Sequence, residues 1–194
     1  MEREETVESP EGGYQTALDL YKQGRYAEAV DIILELDGLN RPEPRTLVLL
    51  ARAYANQGRL EEARGWCEKA IRLDKFNPGI HYFRAIILQE QGLIDEAVKT
   101  LKQVLYLNRN FALAHFALGN LARQQNKFQE SSKYLDNTLI LLKDCRPEEV
   151  LPESEGMTAG RLAEIVRITA GKQDVPDAGV SPRAKPLRRG GGSP

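Results

Sequence analysis

Two histidines, two cysteines and a few paired carboxylates are the side chains of this sequence with the most capacity for chemistry. His81 and His115 occupy the same place in a pattern that repeats every 34 positions. On neighbouring helices that puts them roughly 10 Å apart by ordinary helix packing, too far to share one metal, and no Asp or Cys joins them at ligand spacing. They read as packing residues. Cys67 falls on the apolar face of a helix, and neither it nor Cys145 belongs to a CxxC or a disulfide framework, which points to a reducing compartment. Glu61-Glu62 and Glu148-Glu149 are paired carboxylates, but one pair opens an exposed helix and the other sits in a loop. A general acid needs burial or a charged neighbour to raise its pKa, and neither pair is expected to have what that role requires. Gly12-Gly13 and Gly190-Gly191-Gly192 have no strand before them, so no phosphate cradle is expected. GxSxG, HExxH and an aspartate-rich metal loop do not occur. The sequence therefore predicts no catalytic residue, cofactor site or metal site, and the chain is expected not to be an enzyme.

Composition narrows the partners. At 194 residues with 41% apolar side chains, the chain makes one domain with tails. The formal charge of −1 sets up no field toward nucleic acid or anionic lipid. Charge is uneven: Glu2, Glu4, Glu5 and Glu8 open the chain, and Arg183, Lys185, Arg188 and Arg189 close it. Residues 1–9 and 171–194 both read as disordered, and their charge as solvation. No charged-then-apolar leader opens the chain, and no apolar run approaches the ~18 residues that span a bilayer. A cytoplasmic protein with no nucleic-acid partner and no membrane insertion is expected.

The elements that position these residues follow from one phrase. Gln91-Gly92-Leu93-Ile94-Asp95-Glu96-Ala97 reads as the turn between two antiparallel helices: Gly92 takes the positive φ that ends the first, and Asp95 and Glu96 suit the first turn of the second. The phrase recurs at Gln23–Ala29 and Gln57–Ala63, and in weaker form at Gln125–Ser131, with Gly24, Gly58, Gly92 and Asn126 spaced by 34. A fixed period of this size predicts a helical solenoid. Four units result, 10–43, 44–77, 78–111 and 112–143, three of them opened by Pro10, Pro44 and Pro78. Each unit splits into two helices. In the first unit, Gly12-Gly13 weakens the opening and moves the expected start of the helix to about Tyr14. Small residues eight places into each unit (Ala17, Ala51, Ala85, Gly119) should face small ones twenty places in (Ala29, Ala63, Ala97, Ser131). In the fourth unit Phe128 is expected on the same core face as Leu135 and Thr138. Residues 144–157 form a Glu- and Pro-rich loop, and 158–170 an amphipathic capping helix with Leu162, Ile165 and Val166 on one face.

The spacing of small residues, the Tyr54 and Leu88 positions and the QG-x-x-x-E-A turn resemble the tetratricopeptide repeat over residues 10–142. The tryptophan usual near the start of a unit is Leu47, His81 and His115 here. The resemblance implies an all-α, right-handed helical solenoid of four tetratricopeptide repeats plus a C-terminal capping helix. It also implies a concave groove lined by the first helices. The groove residues expected are Tyr14, Leu49, Arg52, Asn56, Tyr82, Phe83, Ile86, Phe116, Asn120 and Arg123. Tyr21 is expected nearby, and a protein or peptide is the partner such a groove takes. Aromatic side chains there supply contact area and Arg and Asn supply orientation. The carboxylate clamp of chaperone-binding repeats is not expected, because its positions hold Tyr14, Leu18, Leu49, Gly79 and Phe83.

Two segments carry a second resemblance. Residues 81–92, with Leu105-Tyr106-Leu107 and 114–123, and residues 151–162 (LPESEGMTAGRL) together resemble the C-terminal repeat region of bacterial chemoreceptor glutamate methyltransferases of the CheR type. In that family the repeats follow an S-adenosylmethionine-dependent catalytic domain. No such domain is present in these residues. The resemblance implies a role in bacterial chemosensory signalling, with a chemoreceptor, the methyltransferase or a coupling protein as partner. The chain would then be a separate repeat protein, which its opening Met and acidic tail favour, a C-terminal fragment of a methyltransferase, or a relative that has lost the catalytic half. A generic assembly scaffold is the remaining alternative.

Overall fold

The computed structural model describes residues 10–37 and 43–171. Residues 1–9, residues 38–42, where Gly38 and then Pro42 are expected from the sequence to end the second helix of the first unit, and the segment from 172 onward lie outside the described residues. The disorder expected of the two tails therefore falls almost wholly outside them as well.

Among the described residues the chain forms nine helices and no strand. They are α1 (Pro10–Lys22), α2 (Tyr26–Asp37), α3 (Pro44–Asn56), α4 (Leu60–Leu73), α5 (Pro78–Glu90), α6 (Ile94–Leu107), α7 (Ala112–Gln124), α8 (Phe128–Leu142) and α9 (Ala159–Thr169). The first eight pair as hairpins, and the second helix of each hairpin packs on the first helix of the next. Every element thus touches its sequence neighbours, which is the contact pattern of a solenoid.

The turns follow from local chemistry. Gly24, Gly58 and Gly92 have φ of 77°, 75° and 75°, and Asn126 has 59°. At Gly92 the N–H donates to the Gln89 carbonyl at 3.0 Å and the Leu93 N–H to the Leu88 carbonyl at 2.9 Å. This is the Schellman pair of bonds, which satisfies the last carbonyls of α5 through a left-handed residue. The same two bonds close the turns at Gly24, Gly58 and Asn126. Asn is the residue with a Cβ that best tolerates this conformation, so the weakened fourth phrase makes the same turn.

Small residues set the hairpin crossings. Ala17, Ala29, Ala51, Ala63, Ala85 and Ala97 are all fully buried. Gly119 lies so close to α8 that a Cβ there would stand 2.8 Å from Leu135 Cδ2. Leu88, Leu101 and Val104 fill one core with Leu118 and Leu121 of the next unit; burial of such a side chain stabilises by about 1.5–3 kcal/mol. His81 and His115 are buried, and Nε2 of each lies 2.9 Å from a carbonyl six residues earlier, that of Lys75 and of Arg109. Each ring therefore pins a first helix to the loop before it.

The open end of the array is covered by α9. Thr158 caps it, accepting a hydrogen bond from the Arg161 N–H at 3.3 Å, and Leu162 and Val166 pack with Leu135 and Leu142 of α8. Solenoids need a terminal element of this kind to cover the last apolar face.

Two expectations are corrected. Helix α1 starts at Pro10 and not near Tyr14. Gly13 is buried, and packing outweighs the helix propensity that each glycine loses, about 1 kcal/mol relative to Ala. Phe128 is 62% exposed and not part of the core. Its counterparts Leu60 and Ile94 are half-buried, each with a further hairpin following. After α8 the single helix α9 packs on Leu135, Leu139 and Leu142, farther along α8, and leaves Phe128 uncovered.

Candidate functional site

The first helices α1, α3, α5 and α7 present one face, and residues 151–157 lie across it. Arg52 of α3 is at the centre. Its guanidinium pairs with Glu153 at 2.5 Å and with Glu155 at 3.3 Å, and it stacks over the Phe83 ring at 5.1 Å. The Tyr21 hydroxyl of α1 donates to Glu155 at 3.1 Å, and Asn56 donates to the Tyr21 oxygen at 2.9 Å. Burial, with Glu155 beside it, pushes the Tyr21 hydroxyl pKa up to about 12. Burial also pushes Tyr82 up to about 12, with Glu153 and Glu155 adding to the shift. A removed proton would place a third anion beside two carboxylates.

The crossing loop divides the groove. On one side a cavity of about 280 Å³ is bordered by Arg52, Asn56, Tyr82, Phe83, Ile86 and Phe116 together with Glu153 and Glu155. On the other, a cavity of about 320 Å³ is bordered by Tyr14, Leu18, Tyr21, Leu49 and Arg52, again with Glu153. Arg45 stacks over Tyr14 at 4.7 Å and pairs with Glu11 and Glu43.

Eight of the ten residues expected in the groove therefore border it, but they do not play one role. Leu49 is only 4% exposed and belongs to the core behind the wall. Tyr82 packs on Phe111 with ring centres 5.1 Å apart, and Phe116 joins the cluster under the capping helix; both are held by packing. Asn120 and Arg123 border neither cavity. Arg123 is exposed and donates to the Thr169 carbonyl of α9, which ties it to the cap.

The residues that sequence reasoning missed are Glu153, Ser154 and Glu155. They lie outside the repeat; the segment 151–162 stood out only for its family resemblance, and the acidic pair between Pro152 and Gly156 marks a turn without saying which surface it meets. Gly79, at the start of α5, makes room for them: a Cβ there would come within 2.8 Å of Glu153 Oε1.

The groove can hold anionic groups against a guanidinium and offers apolar surface beside them. It contains no nucleophile with an adjacent base. The two thiols are not poised for reaction: burial pushes Cys67 up to about 12, and Cys145 is also raised, by desolvation and then by Glu149 and Asp144. Among the described residues no group of three or more His, Cys, Asp and Glu side chains could hold a metal ion, and no helix is long and apolar enough to cross a membrane.

Hairpins stacked by a 34-residue period, with a terminal cap, define a helical-repeat solenoid. A model of the tetratricopeptide repeat matches residues 14–78 and 83–139, and the chain belongs to the tetratricopeptide repeat family. The solved structures similar to it include YrrB, described as a TPR protein with an unusual peptide-binding site, at 15% identity over 71% of each chain and a TM-score of 0.61. TTC0263, a thermophilic TPR protein of Thermus thermophilus, is 18% identical over 84% of each chain with a TM-score of 0.63. MamA of Desulfovibrio magneticus is 13% identical over 71% of this chain and 77% of its own, with a TM-score of 0.64. At these identities the likeness is one of fold. No curated protein matches the chain.

Proposed function

We propose that this chain is a non-catalytic interaction module that takes a peptide or protein segment along its concave groove. The observation that carries the reading is that a segment already lies there, with Arg52 holding its carboxylates and Phe83 beneath the guanidinium. The description of YrrB as a peptide-binding TPR protein agrees with a groove of this use. A photo-crosslinking residue at Ile86, inside the groove, is expected to capture the partner, and one at the exposed Lys102 of α6 is not. Phe83→Ala is expected to weaken capture about tenfold, within the range of a contact residue at an interface. Equal capture from Lys102, or unaltered capture by Phe83→Ala despite a large loss of stability, would show that binding happens elsewhere.

For the setting we propose bacterial chemosensory signalling alongside a chemoreceptor methyltransferase. The support is the resemblance of residues 81–92, 114–123 and 151–162 to the repeat region of CheR-type enzymes. The test is direct binding of a chemoreceptor cytoplasmic tail, a coupling protein and the methyltransferase, each purified. Methyl transfer by this chain alone would overturn the non-catalytic reading.

A further inference from the structure

We infer that the concave groove selects an acidic segment carrying two carboxylates two residues apart, and that residues 151–157 are its built-in competitor. The inference rests on the groove reading above and adds the chemistry of the occupant.

Arg52 sets that chemistry. Its side chain is only 18% exposed, and it borders both cavities. Its ion-pair partners are Glu153 and Glu155. If the loop lifts away, the guanidinium loses both carboxylates and gains water in their place, with the Phe83 ring still backing it. A segment that replaces the loop binds best where it returns negative charge to this point. The Tyr21 hydroxyl donates toward the same place, so two donors from two helices converge on one anion site. In the loop, Glu153 and Glu155 reach Arg52 and Tyr21 together; in an extended segment side chains i and i+2 share a face, which gives an external ligand the same spacing of two carboxylates.

The loop carries a conformational cost of its own. Glu153 and Glu155 adopt φ of 61° and 54°, a left-handed conformation that is unfavourable for residues with a Cβ. Its base closes independently of the groove: the Leu151 N–H donates to the Met157 carbonyl at 3.0 Å, and the Ser154 hydroxyl lies 2.6 Å from the Leu151 carbonyl oxygen. Release of the two carboxylates therefore leaves the anchor and the cap in place. An external segment competes with a tethered one whose effective concentration is on the order of mM. Apparent affinity falls by the fraction of molecules with the groove open, so the loop sets a threshold that a weak acidic ligand does not pass.

The test uses the full chain and two labelled heptapeptides. One has the loop's own sequence, Leu-Pro-Glu-Ser-Glu-Gly-Met, and the other has Gln for both Glu. Binding is read by fluorescence anisotropy, and folding by circular dichroism. The E153Q/E155Q double variant is expected to bind the acidic peptide about tenfold more tightly than the wild type does, the loss of two partly exposed ion pairs. The neutral peptide should bind the double variant about tenfold more weakly than the acidic peptide does, and adding R52Q should remove that preference. If both peptides bind the double variant alike, the groove reading stands and acid selection is overturned. If neither binds more tightly than to the wild type, the competitor is overturned, while Ile86 crosslinking still decides the groove itself. Should the double variant melt early, Gly79→Ala serves instead, because its Cβ displaces the Glu153 carboxylate and Ala suits the helix; it too must raise affinity for the acidic peptide.

Discussion

Replacing glycine by alanine at two exposed sites of this array should change stability in opposite directions. Gly92 has φ of 75° and nothing within 4 Å of the place a Cβ would occupy, so Gly92→Ala meets no steric neighbour and its cost is purely backbone. The left-handed conformation costs a residue with a Cβ about 1–2 kcal/mol. Restricting the unfolded chain returns about 0.4–1 kcal/mol, and the net loss is about 1 kcal/mol. Gly65 lies within α4, is exposed, has no positive φ and also has nothing within 4 Å. There the same change gains about 0.8–1 kcal/mol of helix propensity. The two variants should therefore differ by about 2 kcal/mol, roughly 4–8 °C in melting temperature for a domain of this size. Thermal and urea unfolding followed by far-ultraviolet circular dichroism measure both. Shifts of the same sign would refute the assignment of Gly92 to a left-handed helix stop, and with it the physical basis of the repeat.

Thiol titration gives a second check: in the folded protein a disulfide reagent at pH 8 should modify the half-buried Cys145, while Cys67, fully buried with its thiol pushed up to about 12, should react only after unfolding. Alkaline pH gives a third. Tyr21 and Tyr82 ionise at about 12 in the folded chain and near 10 when unfolded. Between those values the unfolded state has fewer bound protons, so stability falls as pH rises from about 10 to 12. Tyr82→Phe should flatten that slope, and an unchanged slope would exclude Tyr82 as a source.

What the sequence made legible was whatever is decided within one hairpin. A Schellman turn closes over six residues, so Gly24, Gly58, Gly92 and Asn126 announce their φ by type and position. The small residues at Ala51 and Ala63, or Ala85 and Ala97, announce helix crossings because periodicity places them face to face. Reasoning by period failed where the period ends. Phe128 inherits a core position from Leu60 and Ile94 but lacks the next hairpin that would cover it. Arg123 inherits a groove position and is drawn instead to the Thr169 carbonyl of the cap. The largest gap was the loop. Residues 144–157 have no periodicity, and the surface that Glu153 and Glu155 meet is formed by Arg52 and Tyr21, which only the assembled array brings near.

The sequence separation of those partners has a consequence for how the molecule assembles. Most helix contacts join neighbouring elements, and folds rich in local contacts form quickly. The bonds from Tyr21 to Glu155 and from Arg52 to Glu153 span 134 and 101 positions. They cannot form until the first hairpin and the C-terminal cap are both in place with every unit between them folded in register. Seating of the loop is thus a late event on the folding path, and it serves as a check on completeness: a chain with a missing or slipped unit keeps its local helices but leaves Arg52 without its carboxylates.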